Sequence, residues 1–307
     1  MKALITGCGG FVGGYLWREL EENGYDVVGL DVAGSERVIA ADILDPDQMN
    51  SVIAEVRPQV VFHLAGQANV AASWKFPQKT MAVNVIGSIN LMEAVRRNVP
   101  DARIVIVGSS DEYGRLGEAG ANVSEEQPVD PQTPYAVSKA TQESMAQLYF
   151  RAYGMNVCMT RSFNHAGRGQ KRGFMLPDFA YGVVCVERGE AECVRVGNLS
   201  AKRDFTHVRD VVRAYRLIAE KGVAGSVYNV GSGYSISAQA VLDSMIAKAR
   251  CPIPVCVDPD RIRPIDTPVI CCDHRRLTRD TGWEAQIGMD EIIDEVLTEW
   301  RNQPKGL

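Results

Sequence analysis

A chain of 307 residues that is 46% hydrophobic and 23% charged can bury one large core or two smaller ones. It lacks the bias of a disordered protein, the polar tail 302–307 excepted, and its formal net charge of −5 speaks against nucleic acid as a bulk partner. The eight cysteines form no Cys-x-x-Cys pair, and several lie in apolar runs such as Val183-Val184-Cys185-Val186. They are expected to be reduced, buried thiols rather than a disulfide framework or a zinc site. With no charged-then-apolar leader and no apolar stretch near about 20 residues, the expectation is a cytoplasmic protein with no membrane partner.

The first apolar run, Lys2–Thr6, opens directly into Gly7-Cys8-Gly9-Gly10-Phe11-Val12-Gly13. A strand that turns through glycines into a helix can hold a pyrophosphate against bare backbone N–H groups. Gly7 makes the turn, Gly10 lets the backbone approach the phosphates, and Gly13 lets the helix press on the strand. The second run, Asp26–Leu30, ends beside Asp31, about 20 residues on, where a carboxylate can take the ribose hydroxyls of an adenosine. Together these two features predict a dinucleotide site. A carboxylate there favours NAD(H), and NADP(H) stays open if Arg37 compensates a 2′-phosphate.

Further strands are expected at Val38–Ala41, Val60–Leu64, Arg103–Gly108 and Asn156–Thr160. Helices are expected near Gly13–Asn23, Pro46–Val56, Val83–Asn98 and Pro134–Tyr153. Near-continuous Val/Ile strands alternating with amphipathic helices predict an α/β fold, a doubly wound parallel sheet of Rossmann type. After Phe163 the pattern loosens, with helices expected at Phe174–Arg188, Val208–Lys221, Ala238–Ala249 and Met289–Arg301. The apolar Ser226–Val230 is expected to return to the sheet. The organisation predicted is a dinucleotide-binding unit over 1–163, with returning segments at about 203–232 and 268–273. A smaller interleaved substrate unit is expected over 164–202 and 233–307. From Arg161 to Arg216 there are eleven basic and six acidic residues, either a solvated face or the seat of an anionic substrate.

Thr133-Pro134 offers a helix start, which places Tyr135 and Lys139 on one helix face, four residues apart. A nearby ammonium favours the phenolate, so Tyr135 is expected to have a lowered pKa. Ser109 follows the Arg103–Gly108 strand. There a hydroxyl points into the crevice beyond a parallel sheet, or simply caps a loop.

With Thr6–Gly13, Asp31, Asp42-Ile43, His63-Leu64-Ala65-Gly66, Asn84, Ser109…Tyr113-Gly114, Tyr135…Lys139, Arg203-Asp204-Phe205…Asp210, Tyr228-Asn229-Val230 and Arg263-Pro264…Asp266 in order, the chain resembles the extended short-chain dehydrogenases/reductases that modify nucleotide sugars. The resemblance implies that Tyr135 is the general acid/base, Lys139 the nicotinamide-ribose ligand that tunes it, and Ser109 the group that orients the reacting oxygen. It implies dinucleotide contacts from Gly7, Gly10, Phe11, Val12, Gly13, Asp31, Asp42, Ile43, Leu64, Ala65, Gly66 and Asn84. It further implies that Ser73, Asn164, Arg203, Arg263 and Asp266 hold the sugar nucleotide.

Gly66–Trp74, Arg161–His165 and Val196–Leu199 resemble the GDP-mannose branch, which holds 4,6-dehydratases and GDP-4-keto-6-deoxy-mannose reductases. Dehydratases carry Thr-Ser-Glu where this chain has Ser109-Ser110-Asp111, so the acid at the catalytic position is one methylene shorter. That difference favours C4-keto reduction of a GDP-linked sugar. A dehydratase, a nucleotide-sugar 4-epimerase and a non-catalytic NAD(P) sensor remain as alternatives. Family members pair two helices into a homodimer, which here implicates Leu91, Met92, Val95, Met145, Leu148 and Tyr149 as interface or as core.

Overall fold

The structure, a computed structural model, describes residues 1–114, 122–261 and 268–304. The chain begins β1 (Lys2–Thr6), α1 (Phe11–Glu22), β2 (Asp26–Asp31), β3 (Val38–Ala40), α2 (Pro46–Val56) and β4 (Val60–His63). Two short helices follow, α3 (Val70–Lys75) and α4 (Pro77–Met81), then a π-helical turn over Ala82–Ile86 that runs into α5 (Gly87–Asn98). Next come β5 (Arg103–Ser109), a 3-10 turn over Ser110–Tyr113, β6 (Asn122–Val123), α6 (Pro134–Tyr153), β7 (Val157–Ser162) and β8 (Asn164–Ala166). The remainder is α7 (Met175–Glu187), β9 (Val194–Val196), β10 (Lys202–His207), α8 (Val208–Lys221), β11 (Val227–Val230), β12 (Ser235–Ser237), α9 (Ala238–Ala247), β13 (Val255–Val257), β14 (Cys271–Cys272), α10 (Arg275–Thr281) and α11 (Met289–Asn302).

Seven parallel strands form the central sheet in the order β11-β7-β5-β4-β1-β2-β3. The chain winds outward from β1 to β3, then returns to the other side of β1 as β4. The carboxyl ends of β1 and β4 therefore flank a topological switch point, where an open α/β sheet leaves a crevice. Each face carries its own apolar layer. On one face Leu16 and Leu20 of α1 meet Val211, Tyr215 and Ile218 of α8. On the other, Met49 and Ile53 of α2 meet Leu91 and Val95 of α5 and Ala146 of α6. A separate third core joins α7, α9 and α11 through Leu176, Val183, Leu242, Ile292 and Val296.

Local chemistry sets the element ends. Asp45 caps α2 by accepting from the N–H groups of Asp47 and Gln48 behind Pro46. Thr133 caps α6 in the same way, and Gly154, in the left-handed region, stops it. The expected single helix over 83–98 instead starts with the π turn that carries Asn84. Leu91, Met92 and Val95 are fully buried and Tyr149 nearly so, which makes them core; Leu148 is exposed.

The cysteine expectation needs correction. Cys193 and Cys256 form a disulfide, because the pairing of β9 with β13 brings residues 63 apart in sequence to a Cα separation of 6.0 Å. Cys251 is exposed, while Cys8, Cys158, Cys185, Cys271 and Cys272 are free and buried. Spacing along a chain does not report partners on neighbouring strands.

Candidate active site

A cleft of about 2440 Å³ runs along the carboxyl ends of the sheet. Pockets for a single small ligand span roughly 300–1,000 Å³, so this one has room for two large ligands end to end.

At the β1 end, Gly7 turns with φ +72°, and a Cβ there would lie 2.7 Å from the Ala65 nitrogen. A Cβ on Gly13 would lie 2.4 Å from the Cys8 carbonyl oxygen, so α1 presses on its own loop. Gly10 heads α1 with no side-chain cap, which leaves the first-turn N–H groups to an anion. Asp31 braces this loop: its Oδ2 accepts the Gly9 N–H (2.9 Å) and its Oδ1 the Val32 N–H (2.8 Å). Phe11, Val12, Asp42, Ile43, Leu64, Ala65 and Gly66 line the same end. This glycine cradle, the uncapped helix start and the acidic strand end fit a dinucleotide. Arg37 does not line the cleft; it donates to Glu21 (2.6 Å) and to the Val27 carbonyl (2.9 Å).

Asn84 sits behind the wall rather than on it. Fully buried, it accepts the Gln67 N–H (2.7 Å) and donates to the Gln67 carbonyl (3.1 Å) and Ser138 Oγ (2.8 Å), fixing the chain just after Gly66. His63 bridges Thr6 and Ser88 at 2.7 and 2.8 Å, and burial, aided by the Lys139 charge, pushes its pKa down to about 3.

In the middle of the cleft, Ser109 ends β5 and Tyr135 lies in the first turn of α6, and both line the cleft wall. Tyr135 is not pushed toward phenolate. Burial first, and then the charge of Asp111, raise its pKa, so the phenol keeps its proton. Lys139 Nζ donates to the Val107 carbonyl (2.8 Å) and to Gln142 Oε1 (3.0 Å). Burial pulls its pKa down to about 8, against an upward pull from Glu112.

At the far end, Asn164 of β8 lies beside Phe205 of β10, and Arg203 reaches the cleft two residues earlier. Arg168, Lys171 and Arg261 also line it. Most other basic residues of 161–216 are paired elsewhere: Arg161 with Glu143, Arg172 with Asp178, Arg209 with Glu291 and Glu295, Arg213 with Asp210, Arg216 with Glu19. Ser73 is fully buried, donates to the Val70 carbonyl (2.6 Å) and does not line the cleft, whereas its exposed neighbour Trp74 does. Arg263 and Asp266 lie outside the described residues.

The family model for GDP-mannose 4,6-dehydratase matches residues 4–296, nearly the whole chain. The chain belongs to this family. A GDP-6-deoxy-D-mannose reductase from Pseudomonas aeruginosa is 31% identical over 303 residues, covering 98% of each chain. The solved structure of RMD from Pseudomonas aeruginosa complexed with NADPH superposes with TM-score 0.89 at 30% identity, again covering 98% of each. The UDP-glucose 4-epimerase of Thermus thermophilus in complex with NAD superposes with TM-score 0.88 at 27% identity, over 98% and 99% of the two chains.

Within this family's frame, the sequence motifs and the cleft agree at Gly7–Gly13, Asp31, Ser109, Tyr135 and Lys139, and the structure moves Asn84 and Ser73 behind the wall. Sequence reading missed Arg168, Lys171 and Arg261. The positive excess of 161–216 was the available signal for the first two, and Arg261 carried none.

Proposed function

We propose that the chain reduces the C4 keto group of a GDP-linked 4-keto-6-deoxy sugar, with a reduced nicotinamide dinucleotide as hydride donor. The observation that carries this reading is a buried phenol, its pKa raised by burial, that shares with Ser109 and Lys139 the middle of a cleft with a glycine cradle at one end and cations at the other. A reduced nicotinamide held at the glycine cradle would supply the hydride to C4. Tyr135 gives its proton to the C4 oxygen as charge develops there, so the ketone becomes an alcohol. Ser109 donates to the same oxygen, and Lys139 holds positive charge beneath it. Arg203, Arg168 and Lys171 meet the diphosphate, for which a guanidinium offers paired donors.

The unit over 1–163 with its returning strands carries the dinucleotide, and the interleaved remainder carries the sugar nucleotide. Asp31 at the ribose position, and Arg37 drawn away by Glu21, support NADH over NADPH. Two copies of the chain pair through α5 and α6, on which Val137 and Leu148 of α6 are exposed.

A second reading, dehydration of GDP-mannose, rests on Asp111, whose charge reaches Tyr135 and which lines the cleft. The deciding assay offers GDP-4-keto-6-deoxy-mannose with NADH and, separately, NADPH. Stoichiometric nicotinamide oxidation with a GDP-6-deoxyhexose product is expected. No oxidation, with GDP-mannose converted to the keto sugar in a parallel reaction, moves the chain to the dehydratase reading.

A further inference from the structure

Directly behind Ser109 lies a carboxyl that the proposed mechanism does not use. Glu112, in the 3-10 turn after β5, is fully buried. Its Oε1 accepts the backbone N–H of Ser109 at 2.8 Å, while the Ser109 hydroxyl accepts the Asp111 N–H at 3.2 Å, a reciprocal cap that folds the turn back on the strand end. Gly108 makes the room: a Cβ there would stand 2.5 Å from Glu112 Oε1. One residue earlier the same strand end is held from the other side, where Lys139 donates to the Val107 carbonyl.

We propose that Glu112 is a positioning residue for the reduction, fixing the Ser109 hydroxyl at the reacting oxygen by holding the serine's amide in register. The inference rests on the role given to Ser109 above.

The carboxyl acts on Ser109 as a hydrogen-bond acceptor. Arg161, the nearest cation, is committed to Glu143 through two bonds of 2.9 and 2.7 Å, and its Nε stays 3.9 Å from Glu112 Oε2. That second oxygen is buried with no hydrogen-bond partner among the described residues. Burial, reinforced by the Glu143 charge, raises the Glu112 pKa well above the ordinary carboxylate range, with Arg161 and Lys139 opposing more weakly. A carboxyl oxygen and a side-chain amide oxygen of the same reach can both accept the Ser109 N–H, whereas an apolar side chain of the same size leaves that N–H buried and unpaired.

The test compares Glu112→Gln with Glu112→Leu, reading kcat and KM for GDP-4-keto-6-deoxy-mannose and the hydrogen-exchange rate of the Ser109 amide. Glu112→Gln is expected to keep kcat within about threefold of the parent, and Glu112→Leu to lower it about 10- to 100-fold with KM within about twofold. Exchange at Ser109 should accelerate in the leucine variant alone. Parent-like kcat in Glu112→Leu, or equal damage in both variants, overturns the proposal. Should the parent not turn over the keto sugar, the functional reading falls, and amide exchange still decides: unchanged Ser109 protection in Glu112→Leu sinks the positioning role. Glu112→Met carries the same comparison if the leucine variant does not fold.

Discussion

The two ends of the cleft are built in different ways. At the dinucleotide end the ligand surface is backbone: a glycine turn, a helix start and strand ends, fixed by contacts as close as the Gly7 approach to Ala65. At the end proposed for the sugar nucleotide it is side chains, with Asn164, Arg203, Arg168 and Arg261 brought from separate stretches by β8, β10 and the chain after β13. A backbone site tolerates almost no substitution, because any side chain displaces the ligand or the fold. A side-chain site loses one contact at a time.

The step between the two ends should be the most sensitive. Tyr135→Phe keeps the ring and removes the proton, so turnover should fall about 10²- to 10⁴-fold while dinucleotide binding, followed by fluorescence titration, stays near the parent value. Near-parent turnover would take Tyr135 out of the mechanism. Gly7→Ala probes the backbone end. A methyl 2.7 Å from the Ala65 nitrogen, at φ +72°, should weaken dinucleotide binding about 100-fold or more and lower the melting temperature. Unchanged binding by calorimetry would mean that the loop yields.

Arg203→Ala probes the side-chain end, with KM for the GDP-sugar expected to rise about 10- to 30-fold and dinucleotide affinity unchanged. Equal loss at both ligands would make the arginine structural and erase the contrast.

The mildest test is pH. Lys139 is charged below its pKa of about 8 and neutral above it, so kcat should fall through pH 8 and reach about one-tenth by pH 9. Tyr135, whose pKa is raised, keeps its proton across that window and contributes no limb there. A flat profile to pH 9 would show that the ammonium is not needed for turnover.

The same contrast explains what could be read from the chain. The limits expected for β1, α2, α6 and α8 agree with the structure to the residue, because caps such as Thr133 and stops such as Gly154 act locally. That Ser109, Tyr135 and Lys139 meet in one cleft follows from strand-end and helix-face positions, which periodicity encodes. Asn84 and Ser73 were misplaced because a motif position says nothing about which way a polar side chain turns; both spend their hydrogen bonds inside the wall.

What the sequence by itself determined is the order of strands and helices, the glycine turn with its acidic partner, and the placing of Tyr135 and Lys139 on one face of α6. Each depends on residues close along the chain. Only the tertiary structure decided the direction of the Tyr135 pKa, raised by burial and the Asp111 charge, and the loss of Arg37 to Glu21. It also decided the pairing of Cys193 with Cys256 and the setting of Glu112 behind Ser109. Desolvation and cross-strand proximity are properties of what surrounds a residue in space, and sequence distance does not encode them.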